Sequence, residues 1–275
     1  MRVGLVQLNS SDDPAENLPV TRAFVAKAAA SGARFVLTPE VTNCVSASRS
    51  RQNEVLRIEE EDETLELLCA DAKRLGIWLL IGSLALKQRD NPRFVNRSFL
   101  IGPDGAIQAR YDKIHMFDVE ISETETYRES DGYQPGDRAV MGEVDGTGVG
   151  LTICYDIRFP YLYRGMSKVG AKIMTVPSAF SPETGKAHWE VLLRARAIET
   201  GSYFLAPAQC GEHRATRGRS RKTYGHSLAV DPWGRVLADG GDAPGVVTVD
   251  LDLSRVDDVR RRLPSLTHER QYKMV

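Results

Sequence analysis

Residues 149–160 read "VGLTICYDIRFP", and the change of character inside this stretch decides the fold class. "VGLTI" is apolar, carries β-branched residues and follows a glycine-bearing turn, as a buried strand does. Beyond it, "RFPYLYRGMSKVG" (158–170) spaces its apolar residues as a helix does and has a proline near its start. A strand feeding directly into a helix is the repeating unit of α/β proteins, and it sets Cys154 at the strand's carboxyl end. Ligand crevices of open α/β sheets form at that end, where a following helix supplies N–H groups and positive potential.

Outward from this junction the same scheme is written twice. "RVGLVQL" (2–8) reads as a strand, "NLPVTRAFVAKAAASG" (17–32) as an amphipathic helix ending at Gly32, and "ARFVLTPE" (33–40) as a buried strand. A helix follows at 63–76, closed by Gly76, then a strand, "IWLLIGSLAL" (77–86). "FVNRSFLIGPDGAIQARYDK" (94–113) is a hairpin turning at Pro103-Asp104-Gly105. The second half has "VGLTIC" as a strand, a helix over 160–170, "AKIMTVPSAF" as a strand and "HWEVLLRARAIETG" (188–201) as a helix. "YFLAPAQ" is its next strand, and "HSLAVDPWGRVLAD" (226–239) is a hairpin turning at 231–234. Two pseudo-repeated halves, with apolar strands covered on both faces and no linker, predict a single α/β domain over residues 1–275.

The chain of 275 residues is 42% hydrophobic and 27% charged, enough for one large core. Its formal net charge of -1 gives no field to draw it toward nucleic acid or an anionic membrane. No run approaches the ~20 apolar residues of a membrane span. "RVGLVQL" after Met1 is too short and too soon charged for a signal peptide, so a cytoplasmic protein is expected. Cys44, Cys69, Cys154 and Cys210 lack C-x-x-C spacing, and reduced thiols are expected.

Several motifs lead nowhere. "EEEDE" (59–63) precedes a helix whose dipole favours acids, and reads as a solvated first turn. "GRSRK" (218–222) has no aromatic ladder and reads as an exposed loop. "GTGVG" (146–150) enters a strand instead of opening a helix, so no nucleotide cofactor is implied. The five histidines lack metal-ligand spacing, and no metal is expected.

Cysteine is among the most buried residue types, and Cys69, inside a helical pattern, fits inert packing. Cys210, in "AQCG", is taken as structural. Cys154 differs by its position, but a thiol of pKa ~8.5 still needs a base and an electropositive neighbour to act as a nucleophile. Every asparagine precedes Cys154, which is the wrong order for a papain-like site. Two segments remain: "LTPEV" sets Glu40 just after a buried strand, the station Cys154 takes in the second half, and "YDKIHMF" sets Lys113 at the end of the first hairpin.

Together, "TPE" (38–40), "YDKIHMFD" (111–118) and "ICYDIRFP" (153–160) resemble the three signature segments of the nitrilase, or carbon-nitrogen hydrolase, superfamily. The resemblance covers essentially the whole chain. "YRES" (127–130), "HWEVLLRARAIET" (188–200), "AQCG" (208–211) and "YGHSLAVDPWG" (224–234) are similar to its deaminated glutathione amidase branch, and ω-amidases share most of them. The resemblance implies a four-layer αββα sandwich, usually a homodimer, without a cofactor. It further implies Cys154 as nucleophile, Glu40 as general base, Lys113 with the Tyr155 N–H facing the oxyanion, and Glu129 positioning Lys113 and substrate. Asp156 and Arg158 are expected to anchor the elbow as a pair, and His115 and Phe117 to line the pocket with Tyr155.

The implied reaction is hydrolysis of a small anionic amide through a thioester, giving 2-oxoglutarate and Cys-Gly from deaminated glutathione. An ω-amidase, an N-carbamoyl amide hydrolase and a nitrilase share the triad. A thiol-redox protein would need a resolving cysteine near Cys154, and a non-catalytic binding protein would be expected to have lost one of the three residues. A keto-acid substrate calls for guanidinium groups. Arg194 and Arg196, two apart on one helix, cannot both face it, and the sequence does not choose between them.

Overall fold

Along the first strand the side chains alternate between two apolar environments, which builds the layers. In the computed structural model, which describes residues 1–122 and 125–275, the first half runs β1 (Arg2–Gln7), α1 (Pro14–Ala30), β2 (Phe35–Leu37), α2 (Arg49–Val55), α3 (Glu63–Leu75), β3 (Trp78–Leu86), β4 (Val95–Ile101) and β5 (Ile107–Asp112). A small hairpin, β6 (Asp118–Ser122) and β7 (Glu125–Arg128), leads to the second half. There the order is β8 (Val140–Val144), β9 (Thr147–Leu151), α4 (Pro160–Lys168), β10 (Ile173–Thr175), α5 (Pro182–Thr200), β11 (Tyr203–Ala206), β12 (Cys210–His213), β13 (Arg221–Tyr224), β14 (Leu228–Val230), β15 (Val236–Asp239), β16 (Gly245–Asp250) and α6 (Ser254–Arg262).

Val3 and Leu5 of β1, with Phe35, Leu37, Leu80 and Leu100, pack in one core with Leu151, Ile173 and Leu205 of the second half. Val6, Val36, Leu79 and Ile81 point the other way, against α1 and α3. This period-two switching makes each strand apolar on both faces. Gly4 keeps α1 close, since a Cβ there would lie 2.8 Å from that of Ala28. On the far side Tyr163 of α4 packs on Phe204 of β11, 5.4 Å between ring centroids. The layers are therefore helix, sheet, sheet, helix.

The two sheets have matching strand orders, β16-β1-β2-β3-β4-β5 and β15-β14-β11-β10-β9-β8. In each, three parallel strands continue into an antiparallel hairpin, and the far edge is closed by an antiparallel strand from outside the repeat. The pseudo-repeat is present, with one correction. Cys154 follows β9, the first parallel strand of its half, whereas Glu40 follows β2, the second of its own. The two stations are not equivalent. A second correction concerns two of residues 59–63: Glu60, Glu61 and Glu63 are exposed as expected, but Glu59 is ion-paired with Arg97 and Arg110 at 2.7 Å each, and Asp62 is buried and caps α3 through the Leu65 N–H.

Candidate active site

The carboxyl ends of β2 and β9 and the end of β5 bring three side chains together. Glu40 sits in a tight turn held by the Thr38 hydroxyl, which accepts from the Gly82 N–H at 3.1 Å, and by the Ser83 hydroxyl, which accepts from Val41 N–H at 2.8 Å. Only glycine fits at 82, because a Cβ there would lie 2.0 Å from the Thr38 carbonyl oxygen. Val41 is forced to a φ of 46°, a costly conformation for a β-branched residue.

Cys154 has a φ of 48° and opens a short 3₁₀ turn (Cys154–Arg158), so β9 ends three residues earlier than the sequence pattern predicts. Asp156 holds this elbow. Its buried carboxylate accepts from the Ile153 N–H (2.8 Å), the Tyr111 hydroxyl (2.6 Å), the His115 N–H (3.1 Å) and His115 Nδ1 (2.6 Å). One carboxylate thus ties the segment bearing Lys113 to the segment bearing Cys154. Arg158 is not its partner: it donates to His188 Nδ1 at 3.2 Å and lies over the rings of Tyr155 and Phe180.

The Lys113 ammonium is 2% exposed and directs its donors to Glu40 Oε1 and to both carboxylate oxygens of Glu129, each at 2.9 Å. Glu40 Oε1 also accepts from Asn96 Nδ2 (2.9 Å), and Oε2 accepts from the Ala179 N–H (2.8 Å). Glu129 is fixed by the Phe117 N–H at 2.6 Å. Burial works to raise the Glu40 carboxyl, but the charge and hydrogen bond of Lys113 outweigh it and hold it below the ordinary 4.5. Burial likewise works to discharge Lys113, and the two carboxylates reverse this, pushing its pKa well up. The Cys154 thiol is pushed far up, by burial first and by the Glu40 carboxylate second, against the pull of Lys113. At neutral pH the site holds an ammonium, an ionised Glu40 and a protonated sulfur.

These groups open onto a cavity of about 340 Å³, a small-molecule size. Tyr155 and Phe117 line it, their rings 5.1 Å apart. His115 does not: its ring stacks on Phe159 and bonds Asp156 and the Tyr161 hydroxyl, because those partners draw it to the back of the elbow. Arg194 and Arg196 also lie elsewhere, bonded to the carbonyls of Gly234 and Ile157. The guanidinium groups of the cavity are instead those of Arg49, Arg219, Arg221 and Arg128. Residues 218–222 are therefore not a mere exposed loop. The signal in the sequence was the alternation of "RKTY", which sets Arg221 on the same strand face as the buried Thr223. Asn96 carried no such signal, since it stands second in β4 and is followed by two more polar residues, Arg97 and Ser98.

The carbon-nitrogen hydrolase family profile matches residues 2–261. The chain belongs to this family. Its chemistry is hydrolysis at a carbon-nitrogen amide bond. It is 38% identical over 98% of its length to a deaminated glutathione amidase of Yersinia enterocolitica, of which it covers 92%. It superposes on the NitFhit protein of C. elegans with a TM-score of 0.90 at 34% identity, spanning 98% of this chain but 65% of that longer one. The Nit3 protein of Saccharomyces cerevisiae, a member of branch 10 of the nitrilase superfamily, superposes with a TM-score of 0.86 at 28% identity and 99% and 97% coverage. The four-layer sandwich is the fold of these relatives. Among the described residues no group of three or more His, Cys, Asp or Glu side chains could hold a metal, and no helix is long and apolar enough to cross a membrane.

Proposed function

We propose that this carbon-nitrogen hydrolase is an amidase acting on deaminated glutathione through a thioester on Cys154. The observation that carries the reading is the charge arrangement in the cavity: a protonated sulfur beside an ionised Glu40 that Lys113 holds in place. Because the thiol's pKa is far above the carboxylate's, the proton moves to Glu40 only as sulfur attacks the carbonyl. The S–C bond forms, the carbonyl becomes an oxyanion, and Glu40 is neutralised. All three donors of Lys113 are engaged by carboxylate oxygens at rest. Protonation of Glu40 weakens one of those bonds and frees an N–H for the oxyanion, beside the Tyr155 N–H, at the moment charge appears there. Collapse breaks the C–N bond and Glu40 returns its proton to the leaving amine. Water then attacks the thioester, Glu40 takes its proton and passes it to the departing sulfur. Glu129 keeps Lys113 charged and positioned throughout.

The substrate assignment is supported by the names of the relatives, deaminated glutathione amidases at 37–38% identity over 96–98% of this chain. It is tested by intact-mass analysis with deaminated glutathione, glutaramate-type and carbamoyl substrates. A transient adduct with the first, absent from Cys154→Ala, is expected. Turnover of the others with none of the first would select an ω-amidase or carbamoyl amide hydrolase instead.

A homodimer in the cytoplasm belongs to the same proposal. Tyr161, Val191 and Ile198 of α4 and α5 are exposed apolar side chains on the outer layer, and none of the four cysteines is in a disulfide. Sedimentation analysis tests the first point and localisation of the tagged protein the second.

A further inference from the structure

Period-two alternation along β4 sends Val95, Phe99 and Ile101 into the core under α1 and α3, and sets Asn96 and Ser98 beside Leu100 on the opposite face, toward the second sheet. Asn96 is 2% exposed and stands where β4 meets the cavity. It touches two of the reacting groups at once. Its backbone carbonyl accepts from the Lys113 N–H at 3.0 Å, and its Nδ2 donates to Glu40 Oε1 at 2.9 Å. Its Oδ1 is buried and has no partner among the described residues. The amide cannot turn over to relieve this, because Oδ1 would then face an ionised carboxylate.

Stability does not explain such a residue. Glu40 already has Lys113 on Oε1 at 2.9 Å and the Ala179 N–H on Oε2 at 2.8 Å. A buried amide oxygen left unpaired is costly, and an apolar side chain of similar size would avoid that cost with both carboxylate oxygens still satisfied. What Asn96 adds is the filling of a lone pair. A carboxylate oxygen offers about two acceptor sites. Oε1 gives one to Lys113 and one to Asn96 and is full, whereas Oε2 gives one to Ala179 and keeps one open. The Ala179 N–H also reaches the Cys154 sulfur, and the thiol bonds the Glu40 carboxylate. The open site on Oε2 therefore lies on the sulfur's side.

We propose that Asn96 is a positioning residue that closes Oε1 of Glu40 and so makes Oε2 the oxygen that carries the proton through both halves of the reaction. The proposal rests on the amidase reading for the sequence of steps. As the S–C bond forms and the S–H bond breaks, the proton moves to Oε2, and from there to the amine as the C–N bond breaks. The proton of the attacking water takes the same route back to the sulfur. When Lys113 turns from Oε1 to the oxyanion, Asn96 is the donor that stays, so the carboxyl keeps its orientation while it holds the proton.

Asn96→Leu, close in volume and without polar side-chain atoms, is assayed with deaminated glutathione and with glutaramate, the monoamide of glutarate. Asn96→Ala gives the same reading where the leucine variant fails to fold. The expected result is a kcat lower by about ten- to hundredfold at a KM near the parent's. The acid limb of kcat/KM should move up by about half to one pH unit, because a donor to the ionised Glu40 is gone. The thermal midpoint should stay at or above that of the parent, since an unpaired buried oxygen is gone too. Alkylation of Cys154 by iodoacetamide, followed by intact mass, monitors the first proton transfer without any amide and should slow about tenfold. A lowered midpoint with an unmoved acid limb would reduce Asn96 to a structural residue and overturn the proposal, as would parental kcat and alkylation rates. If the parent hydrolyses neither amide while its alkylation still depends on Asn96, the amidase reading falls and the role of Asn96 stands.

Discussion

The floor and the mouth of the cavity handle charge in opposite ways. At the floor, Lys113, Glu40 and Glu129 are deeply set, and each donor of the ammonium is engaged before any substrate arrives. At the mouth, the exposed Arg49 and Arg219 have no carboxylate partner among the described residues. The difference teaches where the fold has completed its electrostatics and where it has left them open. A buried ion must be paired for the chain to fold at all, whereas a cation near water survives unpaired until an anion displaces that water.

The comparison is broken most directly by removing the nucleophile. Cys154→Ala should lower kcat by about 10⁴-fold or more, while glutaramate binding at the mouth persists. Loss of both together, measured by assay and calorimetry, would mean that floor and mouth are one unit. Lys113→Met is expected next, at about 10³-fold in kcat with a loss of about 3–5 kcal/mol in stability, because it strands two carboxylates. Chemical denaturation measures the second effect. A stability near that of the parent would show that the floor is not a buried ion network.

Glu40→Gln should keep the fold and reduce kcat by about 10²–10⁴-fold; a near-normal rate removes Glu40 from the proton path. In the parent enzyme, the acid limb of kcat/KM belonging to Glu40 should lie below its ordinary 4.5, since Lys113 depresses it. A limb above that value would mean burial had won over the ion pair.

The smallest effect sharpens the contrast away from chemistry. His213 is buried beside the site, its Nδ1–H donating to the Ser10 carbonyl and its Nε2 accepting from the Thr223 hydroxyl, which fixes the neutral form. Burial lowers its pKa from 6.5 to about 4. Its folded value is therefore below its unfolded one, and its contribution is complete above pH 6.5 and lost as the pH falls toward 4. The amount is about 3 kcal/mol. His213→Gln should flatten the stability curve over that window, and an unchanged slope would place the acid sensitivity elsewhere.

Much of this was legible in the residues. "VGLTI" followed by "RFPYLYRGMSKVG" gave the strand-to-helix junction, and the paired hairpins gave the repeat, because side-chain period and turn chemistry are local properties. Glu40, Lys113 and Glu129 were named through their resemblance to signature segments, and the structure places them in one ion network beside Cys154. His115 was misplaced because a histidine two residues from Lys113 points away from it, drawn behind the elbow by Asp156. Asp156 was expected to pair with Arg158 because they are neighbours in sequence. Its partners are instead forty-odd residues earlier on the chain, at Tyr111 and His115.

The sequence by itself determined the layers, the turns and the chemical types available to the site, since these follow from periodicity and from what each side chain can donate or accept. Only the tertiary structure decided which arginines share the cavity. Arg49 lies at the start of α2 and Arg221 on β13, 172 residues apart, and no local pattern encodes their meeting. It arises because the carboxyl ends of two stacked sheets converge, bringing loops from both halves over one cavity.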